Sequence, residues 1–213
     1  MPVVTLEPLE LAALLCSRVC HDVISPVGAI VNGLEVLEDE KDESMREFAH
    51  DLIKKIAKQA SARLQFARIA FGAAGSAGAA IDLGDAAVIA KGFIEDDRIK
   101  LEIDAPRVLL PKNQVKLLLN LLMTATSTIP RGGMIRADIV VEGEQARFII
   151  RAKGISARIP THVEGLLRGE SDTGSIDAHA IQPYYAGLIA RAAGMSVALS
   201  LDGDEATIEA KAA

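Results

Sequence analysis

A regular run of apolar residues near the start of the chain restricts its fold more than any other feature. Between Leu9 and Leu37, apolar side chains follow one another at alternating spacings of four and three residues. A heptad spacing of this kind keeps one stripe of an α-helix apolar, and it predicts a long helix packed in a bundle. The members of this apolar seam are Leu9, Ala13, Cys16, Cys20, Val23, Val27, Ile30, Leu34 and Leu37.

A second helical pattern follows a short charged break between Glu38 and Glu43. Its apolar residues run from Met45 to Phe71 and again recur at spacings of three and four. Two long helices joined by a short turn predict an αα-hairpin. Because one hairpin cannot bury both apolar stripes by itself, we predict that two copies pair into a four-helix bundle, which makes the protein a homodimer.

The composition excludes several classes of protein. Hydrophobic residues make up 50% of the 213 residues, which excludes a disordered chain. Asp and Glu number 29 against 23 Lys and Arg, and the resulting net charge of -6 disfavours nucleic acid as a partner. Aromatic residues make up only 3%, so few rings are available to stack on bases.

We expect a cytoplasmic protein that does not contact a membrane. Glu7 and Glu10 precede any basic residue, which does not fit a signal peptide. No run of about 18 uncharged apolar residues is long enough to span a bilayer. Cys16 and Cys20 are too few and too close together for a disulfide framework, and we interpret them as small core residues of the seam.

A stretch rich in glycine and alanine divides the chain. It predicts a helical hairpin at residues 1–72, a linker at 73–80 and a second domain at 81–213. The second domain alternates between helix and strand patterns, which predicts the α+β class: an α/β sandwich with helices on one face of a mostly antiparallel sheet. The predicted helices lie at 82–93, 111–127, 161–167 and 177–193, and the predicted strands at 99–103, 134–141, 147–152, 195–201 and 206–210.

A histidine on the first helix is the strongest candidate for a functional residue. At about 100° per residue, His21 points roughly 140° away from the apolar seam, toward solvent. Small and polar residues share its face, including a glycine, although glycine inside a helix costs up to about 1 kcal/mol relative to alanine. We interpret this patch as a surface that the backbone of another protein approaches closely. The patch consists of Ser17, Ser25, Gly28 and Asn32.

Pro26 is a second irregularity on this helix, because proline removes one backbone hydrogen bond and bends the helix one turn past His21. The sequence offers no packing reason for it. The alternative is that His21 is an ordinary surface histidine and that Pro26 only kinks the helix. Metal binding by Cys16, Cys20 and His21 is disfavoured, because the cysteines lie on the seam and the histidine points away from it.

Basic residues surround the expected position of His21. Residues 52–72 include five Lys or Arg and no acidic residue. Folding the hairpin at its charged turn places His21 between Lys58 and Arg63, with Arg18 one turn earlier on the first helix. Such a cationic surface suits an anionic group or an acidic pocket brought to the histidine. A solvated basic face is the alternative.

Residues 20–26, Cys-His-Asp-Val-Ile-Ser-Pro, resemble the H-box of two-component signalling proteins: a histidine, an acidic residue, three further residues and a proline. The wider stretch at 15–37 is similar to the ChpT family of histidine phosphotransferases. The resemblance covers essentially the whole chain. It implies a helical hairpin followed by a domain similar to the ATP-binding domain of histidine kinases.

By this resemblance, His21 accepts a phosphoryl group, Asp22 assists it, and Ser25 can touch the phosphoryl group or the attacking water. The family dimerises through the hairpin, takes the phosphoryl group from the receiver domain of a hybrid histidine kinase and passes it to response regulators. Such a carrier needs no cofactor or metal of its own, since the receiver partner supplies Mg²⁺. The expected partner surface comprises Ser17, Arg18, Gly28, Ala29, Asn32, Lys58 and Arg63.

The second domain departs from the kinase pattern that it resembles. Kinases of this architecture carry an asparagine pair that holds Mg-ATP, and here Asn120 keeps the first while Thr124 stands at the metal-binding place. The adenine-binding loop falls on residues 152–156 without its aspartate or second glycine, and no glycine-rich phosphate loop stands near residues 178–181. We therefore expect a degenerate kinase domain that binds no ATP and serves as a docking surface.

The favoured function is thus a histidine phosphotransferase, and two alternatives stay open. An active ATP-dependent histidine kinase would bind Mg-ATP in spite of these substitutions. A non-catalytic dimeric adaptor would bind receiver domains and leave His21 without a chemical role.

Overall fold

Two long antiparallel helices form the first part of the molecule. The computed structural model describes residues 2–72, 79–143 and 145–213. Helix α1 spans Pro8–Asp39 and helix α2 spans Glu43–Ala70. Asp42 begins the second helix, because its carboxylate accepts hydrogen bonds from the backbone N–H groups of Ser44 and Met45. The predicted helical hairpin is confirmed.

The two helices approach each other closely where α1 carries a small residue. A Cβ atom at Gly33 would lie 2.7 Å from Cγ1 of Ile53 on α2, so a larger side chain there would push the helices apart. Pro26 is buried within α1, which runs through it without interruption. The sequence offers no packing reason for Pro26, and the structure supplies one, because its side chain is buried on the packed face of the hairpin.

Much of the predicted apolar seam is exposed in the single chain. Leu34 is 48% exposed, and Cys16 and Cys20 are exposed free thiols, so their interpretation as core residues is wrong for one protomer. The physical reason is that the packed face of α1, which contains Pro26, overlaps the seam only at the half-buried Val23, Ile30 and Leu37. Apolar residues of α2 are exposed as well, among them Phe48 at 65%.

A mixed sheet follows the hairpin and confirms the α+β class. The strands are β1 (Ala80–Asp82), β2 (Ile99–Asp104), β3 (Leu109–Pro111), β4 (Gly133–Glu142), β5 (Gln145–Lys153), β6 (Met195–Asp202) and β7 (Glu205–Ala212). Five of them form a sheet in the order β2-β4-β5-β7-β6, in which only β2 and β4 pair in parallel. The antiparallel pair of β1 and β3 was not predicted, since each strand is only three residues long.

Four helices accompany the sheet: α3 (Leu83–Ile94), α4 (Lys112–Thr128), α5 (Val163–Arg168) and α6 (Ile181–Ala192). Asp82 caps α3 as predicted, accepting a hydrogen bond from the N–H of Asp85. The predicted start of α6 at Asp177 is four residues too early. Its carboxylate bonds the backbone N–H groups of His179 and Ala180 and holds a turn in front of the helix.

The core of this second part lies between the sheet and its helices. Alternate residues of β5 are buried, as in a sheet covered on one face, and residues 115–125 of α4 are buried throughout. Phe66 and Ala70, at the end of α2, belong to the same core. Residues 73–78 of the predicted linker lie outside the described residues, and the boundaries at 72 and 80 stay a prediction.

By length and composition, α1 is apolar enough to cross a membrane, which the sequence analysis did not anticipate. Length and composition alone are weak evidence for a membrane span, because core helices of soluble proteins can be equally long and apolar. One face of α1 packs on α2 through residues such as Gly33.

The packing of α5 on α6 generates a prediction about stability. A Cβ atom at Gly187 would lie 2.0 Å from the carbonyl oxygen of Leu167, and a backbone atom can move away only if the two helices separate. We expect Gly187→Ala to lower the free energy of unfolding by about 1–3 kcal/mol, as overpacking does. Urea denaturation followed by circular dichroism measures this change.

Gly92→Ala on α3 is the matched control. Its Cβ would meet only the Cβ of Ala62, at an ordinary 3.7 Å, so this variant should gain up to about 1 kcal/mol from helix propensity. Unfolding midpoints that move in the same direction in both variants would contradict the described packing of α5 against α6.

Candidate functional site

His21 lies in the first half of α1, on a face that α2 does not cover. Its side chain is 71% exposed. The helical-wheel prediction that it points to solvent is confirmed. An imidazole this open can be reached by a group on another molecule.

Asp22 lies beside the histidine and is held by both helices of the hairpin. One carboxylate oxygen, Oδ1, lies 3.7 Å from Nδ1 of His21, and the other accepts a hydrogen bond of 3.1 Å from Nε of Arg18. From α2, Nη1 of Arg63 donates a hydrogen bond of 2.7 Å to the backbone carbonyl of Asp22. The Asp22 side chain is only 18% exposed, so it is not a freely solvated charge.

This arrangement distinguishes the two nitrogens of the His21 ring. Negative charge close to Nδ1 favours the tautomer that carries its proton on Nδ1, which leaves the lone pair on Nε2. The contact of 3.7 Å is electrostatic, since it is longer than a hydrogen bond. The site can therefore offer one nucleophilic nitrogen to an incoming electrophile.

The predicted small-residue patch lies along the exposed side of α1, before and after His21 in the sequence. Its members, Ser17, Ser25, Gly28 and Asn32, are all exposed. A Cβ atom at Gly28 would meet nothing within 4 Å, so the chain itself does not require glycine there. Of the other predicted partner residues, Lys58 is exposed and Ala29 is half-buried. Arg18 and Arg63 lie next to the site as expected, but both bind Asp22 and so form part of its support.

A residue without a predicted role also reaches the site. His179, in the turn before α6, places its ring 5.6 Å from that of His21, measured between centroids, with the planes at 78°. His179 lies in the segment near which the phosphate loop is missing, and its sequence context predicts no role for it. Sequence alone carried no signal for this contact, because it depends on how α6 docks against α1.

The residues at the expected Mg-ATP positions make internal bonds. Asn120 is fully buried, and its Nδ2 donates to the carbonyls of Ala70 at 3.1 Å and Lys116 at 2.9 Å. Gln182 on α6 donates to the backbone carbonyl of Asn120 at 2.8 Å, and the Thr124 hydroxyl donates to the same carbonyl at 3.1 Å. These bonds join α2, α4 and α6, so Asn120 has a structural role in this protein.

Two further features bear on cofactors and metals. A Cβ atom at Gly154 would lie 2.3 Å from the carbonyl oxygen of Gly132, so this glycine is explained by close backbone packing. Within residues 2–72, 79–143 and 145–213, no three His, Cys, Asp or Glu side chains come together as metal ligands do.

Comparison with known proteins identifies the family. Residues 83–205 match the model of the histidine phosphotransferase C-terminal domain. The chain is 48% identical over 208 residues to the protein phosphotransferase ChpT of Brucella abortus (strain 2308), covering 98% of each chain. A solved structure of a bacterial phosphotransferase aligns with a TM-score of 0.89 at 46% identity, covering 99% of this chain and 100% of that chain.

A histidine kinase domain also aligns, at lower similarity. The domain from the blue-light activated kinase of Erythrobacter litoralis EL346 gives a TM-score of 0.47 at 16% identity, over 88% of this chain and 93% of that chain. The family model and the relative that is 48% identical show that the class of protein is a histidine phosphotransferase. Within that class, the chain belongs to the ChpT-type family, as its H-box resemblance implied.

Proposed function

We propose that this protein relays phosphoryl groups through His21, from the receiver domain of a hybrid histidine kinase to the aspartates of response regulators. The observation that carries the proposal is an exposed imidazole whose Nδ1 faces a half-buried carboxylate. Membership in the histidine phosphotransferase family supports the same chemistry. Phosphoryl carriers of this kind act in the cytoplasm, where we expect the protein to reside.

In the proposed step, Nε2 of His21 attacks the phosphorus of an aspartyl phosphate on the receiver. A P–N bond forms, the P–O bond to the aspartate breaks, and the carboxylate leaves with the electron pair. The proton stays on Nδ1, and the negative charge of Asp22 stabilises the positive ring that results. The reverse sequence returns the phosphoryl group to an aspartate of the next receiver.

Little chemistry is required of the carrier, because phosphoryl transfer depends on in-line positioning and on charge stabilisation. The Mg²⁺ that neutralises the phosphoryl oxygens belongs to the receiver, as we propose, and this chain supplies no cofactor. Ser25 lies one helical turn from His21 and can donate its hydroxyl to a phosphoryl oxygen. Asp22, Arg18 and Arg63 hold the acceptor in place.

The patch next to His21 suits the approach of a receiver domain. Gly28 leaves open space where any other residue would place a side chain. Ser17 and Asn32 are also exposed and have short side chains, so they obstruct an approaching protein little. Exposed Lys58 supplies positive charge to an acidic receiver pocket. A surface built this way lets a foreign aspartyl phosphate come within bonding distance of Nε2.

We infer that the protein doesn't use ATP. The polar groups at the kinase-like positions, Asn120 and Thr124, are occupied by internal hydrogen bonds. A kinase would need these groups for Mg-ATP. The second domain, released from nucleotide binding, is available to dock partner proteins.

We also propose that two copies pair through the hairpin. An apolar groove of about 430 Å³ runs between α1 and α2. It continues into the exposed seam, where Val27 and Leu34 are each nearly half exposed. Burial of these residues against the same surface of a second copy completes a four-helix bundle. The residues lining the groove are Leu15, Cys16, Val19, Cys20, Leu64, Ala67, Arg68, Phe71 and Gly72.

Transfer from a phosphorylated receiver tests the acceptor. A radiolabelled receiver domain should label the wild-type protein, and His21→Gln should receive no label because the amide is not nucleophilic. His50→Gln, which changes an exposed histidine on α2, is the matched control and should be labelled normally. Radiolabelled ATP in place of the receiver should label none of the three proteins.

Three other outcomes would contradict the proposal. Label that persists in His21→Gln contradicts the assignment of the acceptor. Labelling by ATP alone supports a histidine kinase. Receiver binding without any labelling of the wild-type protein supports the adaptor.

Gly28→Ala tests whether the receiver domain approaches this face of α1, because its effects on stability and on transfer are expected to be opposite. The added methyl group should raise the free energy of unfolding by about 0.5–1 kcal/mol, since glycine is unfavourable inside a helix. The same methyl group should obstruct the receiver and slow labelling by roughly tenfold. Gly92→Ala gains comparable stability away from the site and should transfer at the wild-type rate. Unchanged transfer in Gly28→Ala would mean that the receiver does not approach this face.

Leu34→Glu tests the dimer. Its side chain is 48% exposed in the single chain, so a charge there leaves the protomer folded but opposes burial against a second copy. Light scattering coupled to gel filtration should report a dimer for the wild-type protein and a monomer for this variant. Val88→Glu, on the exposed face of α3, is the control and should remain dimeric. A dimeric Leu34→Glu would place the interface elsewhere.

A further inference from the structure

Two exposed imidazoles meet where the second domain touches α1. His21 and His179 make an edge-to-face contact, with ring centroids 5.6 Å apart and planes at 78°. This geometry is the one that aromatic rings prefer. The relay chemistry described above uses His21 and assigns nothing to His179.

The backbone that carries His179 is held on both sides. Asp177 accepts hydrogen bonds from the N–H of His179 at 2.9 Å and from that of Ala180 at 2.8 Å. These bonds, the one to Ala180 foremost, keep the pKa of Asp177 below its usual range, so the carboxylate stays charged and bonded at neutral pH. Preceding the turn, Ile176 is buried in a cluster that includes Leu11 and Leu14 of α1.

Hydrogen bonds on the other side of the turn also hold α6 against the start of the chain. The hydroxyl of Tyr184 on α6 accepts a hydrogen bond from the N–H of Leu6 at 3.3 Å and donates one to the carbonyl of Val4 at 3.2 Å. His179 therefore stands in a turn that packs on α1 through Ile176, while Tyr184 fixes the segment that precedes α1. The ring of His179, which belongs to the second domain, contacts the ring of His21 on α1.

An exposed histidine on a helix ordinarily samples several rotamers. Asp22 contacts one nitrogen of His21 but cannot by itself fix the plane of the ring. We propose that His179 is a positioning residue, whose edge-to-face contact holds the His21 ring so that Nε2 is aligned for attack. This proposal rests on the proposed role of His21 as phosphoryl acceptor. It gives the second domain a direct part in preparing the site.

Single-turnover transfer tests this role. The labelling rate is measured at increasing concentrations of phosphorylated receiver, which separates the maximal rate from the half-saturating concentration. His179→Ala should lower the maximal rate by roughly tenfold, within the range that misplaced reactants produce, and leave half-saturation unchanged. His179→Phe keeps a ring edge at this place and should stay within about threefold of wild type.

His162→Ala is the matched control, because His162 is an exposed histidine of the same domain whose side chain caps no helix. It should transfer at the wild-type rate. A second readout is the NMR signals of the His21 ring protons. His179→Ala should shift them through loss of the neighbouring ring, and His162→Ala should not.

The outcomes distinguish this inference from the proposed function. A wild-type maximal rate in His179→Ala overturns the positioning role while the relay stands. An effect on half-saturation alone makes His179 a docking residue, and equal losses in the Ala and Phe variants point to its N–H group; both overturn positioning by ring contact. Absence of transfer to the wild-type protein overturns the relay itself, whatever the NMR signals show.

Discussion

The packing of α1 against α2 leaves a histidine outside and brings the neighbouring aspartate half inside. Asp22 is bonded through its side chain to Arg18 on its own helix and through its backbone to Arg63 on the other. These bonds place a carboxylate against Nδ1 of His21 while most of the ring remains open to solvent. Selection of one ring nitrogen, and the access of a partner to it, both depend on this placement.

The second domain is joined to this scaffold by hydrogen bonds of buried polar side chains. Asn120 binds the last carbonyl of α2, at Ala70, and Gln182 binds Asn120 in turn. The polar residues of α4 and α6 thereby fix the end of the hairpin. The docking of α6 also carries the turn of His179 to the ring of His21. Our proposal that the protein does not use ATP rests on the same hydrogen bonds.

Local patterns predicted much of this fold. The heptad spacing identified both long helices, and the wheel correctly directed His21 to solvent, because the angle between residues on a helix does not depend on the rest of the fold. The burial of Pro26 and the exposure of Cys16 could not be predicted, since they depend on which face of α1 meets α2. The contact of His179 was equally inaccessible, because residues far apart in sequence meet only through the docking of α6.

The decisive measurement for the proposed relay is to identify which nitrogen carries the phosphoryl group in the phosphorylated protein. Long-range proton–nitrogen correlation spectra of the phosphorylated protein distinguish the two ring nitrogens, since each couples differently to the ring protons. We expect a single phosphohistidine, at Nε2 of His21, with Nδ1 still protonated beside Asp22. Phosphorylation at Nδ1, or at any other residue, would contradict it.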